Sequence, residues 1–211
     1  DRAVRTAACQ ALGSIGDAQA VPHLIRALGD QNSDVRAAAC QALVGIGGAA
    51  APALIEALGH RNSRVRAAAC RVLGSIGDAQ AVPHLIRALG DRDRAIRAAA
   101  CQALGSIGDT QAVPHLIRAL EDQEESVHTA ACEALVGIGR AAVPALIEAL
   151  GHRNSLVRTA ACQALGSIGD IRAHPALSLW AHAGAAAAQD ALHTLGRPKL
   201  PLHKALVQLS L

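Results

Sequence analysis

VRTAACQALGSIGD (residues 4–17) and AVPHLIRAL (residues 20–28) are the two phrases on which the reading of this chain turns. The first returns as VRAAACQALVGIGG at 35–48, VRAAACRVLGSIGD at 65–78 and IRAAACQALGSIGD at 96–109. It returns again as VHTAACEALVGIGR at 127–140 and VRTAACQALGSIGD at 157–170. The second recurs from Ala81 and Ala112, and as APALIEAL or VPALIEAL from Ala51 and Val143. A fixed period of 30 or 31 residues is the signature of a stacked repeat architecture.

Both phrases have helical periodicity. Val35, Ala38, Ala39, Ala42, Leu43 and Ile46 fall on one face by the i, i+3, i+4, i+7 rule. Asn32 or Ser33 offers a cap at the start, and Gly45 and Gly47 mark the end. In the second phrase Asp17 is the expected N-cap, and Pro22 sits early, where a missing N–H costs little. Gaps of two to five residues make consecutive helices antiparallel neighbours. The reading is an all-α, right-handed α-solenoid of about six stacked hairpins and about fourteen helices. Repeats start near residues 4, 35, 65, 96, 127 and 157. Residues 1–78 match residues 93–170 at 62 of 78 positions, which makes a 92-residue super-repeat.

The motif VRxAAxxALGxIGD…AVPxLIxAL resembles the HEAT-like repeats first named in phycobilisome lyases. The resemblance covers residues 1 to about 180. It implies that the VR helices line a concave face and the VP helices a convex one. It leaves activity open, because one fold hosts many functions.

Composition narrows the classes. The chain has 211 residues, a net charge of +3, one tryptophan (Trp180) and no Phe, Tyr or Met. Its apolar mass is Ala, Leu, Val and Ile, which suits thin, closely packed helix layers. Single-stranded nucleic acid is usually gripped by aromatic stacking, and no aromatics are interleaved with the arginines. A nucleic-acid-binding solenoid is therefore a remote alternative. No uninterrupted run approaches the eighteen or so apolar residues of a membrane span. The chain opens at Asp1, inside a repeat, which predicts a fragment of a longer protein.

Six cysteines recur once per repeat, at Cys9, Cys40, Cys70, Cys101, Cys132 and Cys162. Equivalent atoms of packed helices lie about 8–10 Å apart. A disulfide needs Cα atoms within about 7 Å. The thiols are therefore expected to be free, buried and structural, and to imply a cytoplasmic or other reducing compartment. There is no CxxC, so no metal is expected. The histidines form no HExxH and no His-Glu step of the kind that ligates iron in deoxyhypusine hydroxylases. Ser14, Ser75, Ser106 and Ser167 sit in GSIG, which is not GxSxG. No catalytic residue and no cofactor is assigned.

The arginine ladder Arg5, Arg36, Arg66, Arg97 and Arg158, interrupted by His128, is expected to pair with Asp30, Asp91 and Asp122. The alternative is anion binding along the stack. A polar residue follows each cysteine: Gln10, Gln41, Arg71, Gln102, Glu133 and Gln163. One turn earlier stand Thr6, Thr129 and Thr159. If the resemblance holds, these rows face the concave groove and form a partner-binding surface. The pattern decays after Asp170, so residues 1–182 are assigned to the solenoid and 183–211 to a C-terminal helical cap. Trp180, Leu202 and Leu206 are candidate partner anchors there. The predicted function is a non-catalytic protein–protein interaction scaffold within a larger assembly. The alternative is a bilin-lyase-like enzyme or enzyme subunit.

Overall fold

The computed structural model describes residues 1–195, and Leu202 and Leu206 lie outside them. Thirteen α-helices are present among the described residues, against about fourteen expected; the last expected segment falls beyond Leu195. The chain divides into two compact units, Asp1–Ala142 and the residues from Val143 onward.

The first unit alternates long and short helices: α1 (Arg2–Ile15), α2 (Val21–Ala27), α3 (Ser33–Ile46), α4 (Ala51–Ala57), α5 (Ser63–Ile76), α6 (Val82–Ala88), α7 (Arg94–Ile107), α8 (Val113–Ala119) and α9 (Glu125–Ile138). The second holds α10 (Val143–Ala149), α11 (Ser155–Ile168), α12 (His174–His182) and α13 (Ala186–Leu195). A 3-10 turn of three or four residues precedes each short helix. Each short helix packs chiefly on the long helix that follows it: α2 on α3, α4 on α5, α6 on α7 and α8 on α9, then α10 on α11 and α12 on α13. These are six hairpins, with α1 as an additional long helix. The hairpins are thus phased half a period away from the VR-first repeat assigned from sequence. Apolar periodicity does not decide this pairing; the turns do. A 3-10 step carries the chain away from the long helix, whereas the turn after the short helix folds the next long helix back onto it.

Local chemistry explains the boundaries. Asn32 accepts from the N–H groups of Asp34 and Val35, as expected, whereas Asp17, expected to cap the second-phrase helix, accepts from Gln19 N–H and caps the 3-10 turn before α2 instead. After GSIG, Gly16, Gly77, Gly108 and Gly169 close their helices in the left-handed region, and the next Asp caps the 3-10 turn. The VGIG repeats lack that Asp. There Gly47 turns with φ 71° and ψ −143°, and the 3-10 turn starts at that glycine itself.

Packing between long helices uses a glycine–alanine seat. A methyl placed on Gly13, Gly74 or Gly105 would lie 2.6–2.7 Å from the Cα of Ala42, Ala103 or Ala134. Only hydrogen permits that approach, and interiors are close-packed enough for it to matter. Val44 holds the same repeat position as Gly13, and its register partner is Val72 instead of alanine. At that junction α3 and α5 pack less intimately than α1 with α3 or α5 with α7. On α1, Val4 is 66% exposed, whereas its repeat equivalents Val35 and Val65 are buried. No hairpin of the described residues precedes α1.

Two expectations need correction. Ser33–Ala57 and Glu125–Ala149 do reach the length and mean hydropathy (1.6 and 1.5) of a membrane span. The reading from sequence counted uninterrupted apolar residues and passed over them. Each folds as a long helix, a 3-10 turn and a short helix, broken at Gly47 or Gly139. Second, the six cysteines form no disulfide, but Cys40 and Cys132 are only half-buried. Burial pushes the thiols of Cys70 and Cys101 up to about 12.

Candidate functional site

The expected polar row sits on helices whose other faces are buried. Gln10, Gln41, Arg71, Gln102 and Glu133 are all exposed, on α1, α3, α5, α7 and α9 respectively. Thr129 is exposed and Thr6 half-buried. In the second unit Gln163 and Thr159 are exposed on α11. Helical spacing places each row member one position past the cysteine, just off the apolar stripe. Gln102, Thr129 and Glu133 come together with Glu125, Ser126 and Ala130 around a shallow cleft of about 460 Å³. That cleft is polar and open to water. The serines of GSIG serve local needs: the hydroxyls of Ser14, Ser75 and Ser106 donate to the carbonyls of Gln10, Arg71 and Gln102, 3.0–3.1 Å away.

The arginine ladder is an ion-pair ladder, as the repeat register demanded. Arg5 Nε and Nη2 donate to Asp30 at 2.8 and 3.1 Å, and Arg66 holds Asp91 at the same two distances. Arg97 holds Asp122 at 2.7 and 2.9 Å. These bidentate forks are the strong form of the interaction. Arg5 and Arg97 hold the carboxyls of Asp30 and Asp122 below the usual carboxylate range. The same aspartates cap the turn by accepting from the N–H two residues on. Nη1 of Arg36, Arg66, Arg97 and Arg158 meanwhile donates to two carbonyls of the preceding turn. His128 replaces the arginine once, and its Nδ1 lies 2.8 Å from the Leu120 carbonyl.

In two turns His60 and His152 stand where the others have Asp. Each Nδ1 accepts from the N–H two residues later, so imidazole takes over the capping role of carboxylate. The sequence signal for this role is the exchange of LGH at 58–60 and 150–152 for LGD at 28–30 and 89–91. His84 and His115 are half-buried and His23 is exposed.

Trp180 lies on α12 where other short helices carry alanine. It is half-buried, and the Arg158 guanidinium stands 6.0 Å from its ring centroid. Among the described residues, no group of three or more His, Cys, Asp or Glu side chains is placed to hold a metal ion.

Known proteins share this geometry. A family profile described as HEAT repeats matches residues 1–61, 51–136 and 113–196. The chain belongs to the HEAT-repeat family. This HEAT-repeat chain is similar to the complex of CpcE and CpcF of phycocyanin lyase from Nostoc sp., with 28% identity and a TM-score of 0.58. That match covers 70% of this chain and 99% of the other. It is also similar in fold to yeast importin-beta, at 20% identity and a TM-score of 0.55, covering 88% of this chain and 28% of that one. An engineered protein matches at 20% identity and a TM-score of 0.52, over 83% of this chain and 94% of its own. No curated protein sequence matches the chain.

Proposed function

We propose that this HEAT-repeat chain is a non-catalytic scaffold that binds another protein along the exposed polar row. The observation that carries the reading is the contrast within α7 and α9: one face is sealed in the core while Gln102, Thr129 and Glu133 are left open around one cleft. The rungs that break the repeat, Arg71 and Glu133, supply the charge by which a partner is selected. In this reading the row faces the concave side, α13 caps the second unit, and Trp180 adds an anchor. Six unbridged thiols support a reducing intracellular setting.

The test compares the parent protein with Arg71→Glu/Glu133→Arg in quantitative affinity capture. A stoichiometric partner retained by the parent and by an outer-face variant, His115→Ala/Arg118→Ala, and lost by the row variant is the expected result. No stoichiometric partner, or one indifferent to the row, sinks the proposal.

The likeness to a phycocyanin lyase complex favours a second reading, an enzyme subunit handling a bilin. Against it, the single Trp180 offers little aromatic surface to grip a tetrapyrrole. Incubation with free bilin discriminates: unchanged visible absorption keeps the scaffold reading, and a red-shifted, saturable band replaces it with the lyase one.

A further inference from the structure

We infer that Arg158 is an unfilled rung of the ladder, and that it receives the side-chain carboxylate of an aspartate presented by a partner polypeptide. The chain itself supplies the template. In three rungs the arginine fork grips the aspartate of the following turn through Nε and Nη2. Arg158 is held in the same posture as Arg66 and Arg97, because its Nη1 donates to the His152 and Arg153 carbonyls at 2.8 and 2.9 Å. Its Nε–Nη2 edge makes no hydrogen bond or ion pair among the described residues.

The reason is in the register. Asp30 lies eight residues after Pro22 and two before the cap Asn32. Counting eight from Pro175, or two back from Ala185, reaches Ala183. A methyl therefore stands where a carboxylate is required. The rung at Arg36 also lacks Asp; among the described residues its hydrogen bonds run only from Nη1, and the imidazole of His60, which accepts from Asn62 N–H, takes up that turn position where Arg158 has only the methyl of Ala183. At Arg158 there is instead a cavity of about 510 Å³, whose wall includes Leu150, Ser155, Thr159, Cys162 and Trp180. Trp180 replaces the alanine of other repeats and lays its ring beside the guanidinium, which orients it and covers the apolar flank.

An arginine fixed by two carbonyls, with its fork open and an aromatic wall beside it, is preorganised for a planar anion on an apolar body. The occupant is an aspartate on a tight turn, as the ladder uses throughout. This site goes beyond the polar row, and its test does not depend on that reading.

Trp180 is the sole aromatic fluorophore, so its emission reports the site directly. The probe is the capped peptide Leu120–Ser126 (LEDQEES), which carries the ladder's own Asp122. Titration into the full chain should give a saturable change in emission. Replacing the probe's Asp122 by Asn should weaken binding about ten-fold, since a charge-assisted fork becomes a neutral contact. Arg158→Gln, with helicity checked by circular dichroism, should lose the response. Ala183→Asp should supply the carboxylate in cis, raise the melting temperature and refuse the peptide. Equal response to the Asp and Asn peptides, an equal response to acetate, or no response up to millimolar peptide overturns the inference. So does an Ala183→Asp protein that binds as the parent does. Self-association abolished by Arg158→Gln would assign the rung to a second copy and likewise overturn it.

Discussion

At the residue scale, the interior glycines of the long helices are not equivalent. Gly74 and Gly45 both lie within helices, where glycine costs about 1 kcal/mol relative to alanine. A methyl on Gly74 meets the Ala103 backbone at 2.6 Å, whereas one on Gly45 reaches nothing nearer than 3.8 Å. Gly74→Ala should destabilise by about 1–3 kcal/mol through overpacking. Gly45→Ala should be neutral or stabilising by up to about 1 kcal/mol. Urea unfolding of the two variants side by side checks the opposite signs. The buried thiols make a second prediction. Cys70 and Cys101 keep their protons up to about pH 12 in the fold, against an ordinary value of 9.0. The folded state therefore binds more protons than the unfolded chain above pH 9. The stability these thiols contribute is complete below pH 9 and falls as pH climbs towards 12. Burial also pushes up the thiols of Cys9, Cys40, Cys132 and Cys162, and with no tyrosine and only Lys199 and Lys204 as lysines the cysteines together dominate that window. The urea midpoint should drop between pH 8.5 and about pH 10.5, and less steeply in Cys70→Ala.

At the element scale, the Arg–Asp rungs tie α1, α5 and α7 to the turn of the next hairpin. Arg66 and Asp91 are mostly sheltered, with side-chain exposures of 19% and 16%. Arg66→Ala should cost about 2–3 kcal/mol, because a charge-assisted fork is lost and its partner stays partly buried. Arg66→Ala/Asp91→Ala should cost less than the sum of the single changes. The surface pair Arg2–Asp34, 3.9 Å apart, is the control, and Arg2→Ala should stay within about 0.5 kcal/mol. Thermal melts of these four proteins decide the matter. This ladder was legible in the sequence, because a 31-residue period fixes which turn each arginine meets. The hairpin phase was not legible. Apolar spacing is the same for either pairing of long and short helices, and the 3-10 turns that choose between them differ from α-helix by one hydrogen-bond step. The open rung at Arg158 was hidden for a related reason: Ala183 is informative only once Pro175 and the α13 start are aligned with Pro22 and Asn32.

At the scale of the whole molecule, repeats of this kind add stability through nearest neighbours. Removal of residues 78–108 joins Gly77 to Asp109 and deletes one hairpin in register. Gly74 then takes the place of Gly105, and Arg66 that of Arg97. The shortened chain should keep its helicity per residue and melt at a lower temperature, as circular dichroism will show; loss of helical structure would contradict neighbour additivity. The candidate partner row was visible from sequence as the polar position beside each cysteine, since exposure follows from helical phase. Its cleft at Gln102, Thr129 and Glu133 was not, because depth depends on how closely two helices sit. That closeness has a kinetic side. A chain with near-copies of each helix risks docking a segment against the wrong copy during collapse. Most seats, being glycine on alanine, would accept the impostor. Val44 and Val72 would not: a wide valine seam mated with a narrow glycine seat leaves either a collision or a hole. The one irregular junction of the first unit should therefore disfavour misregistered docking on packing grounds, because overpacking and voids both cost stability.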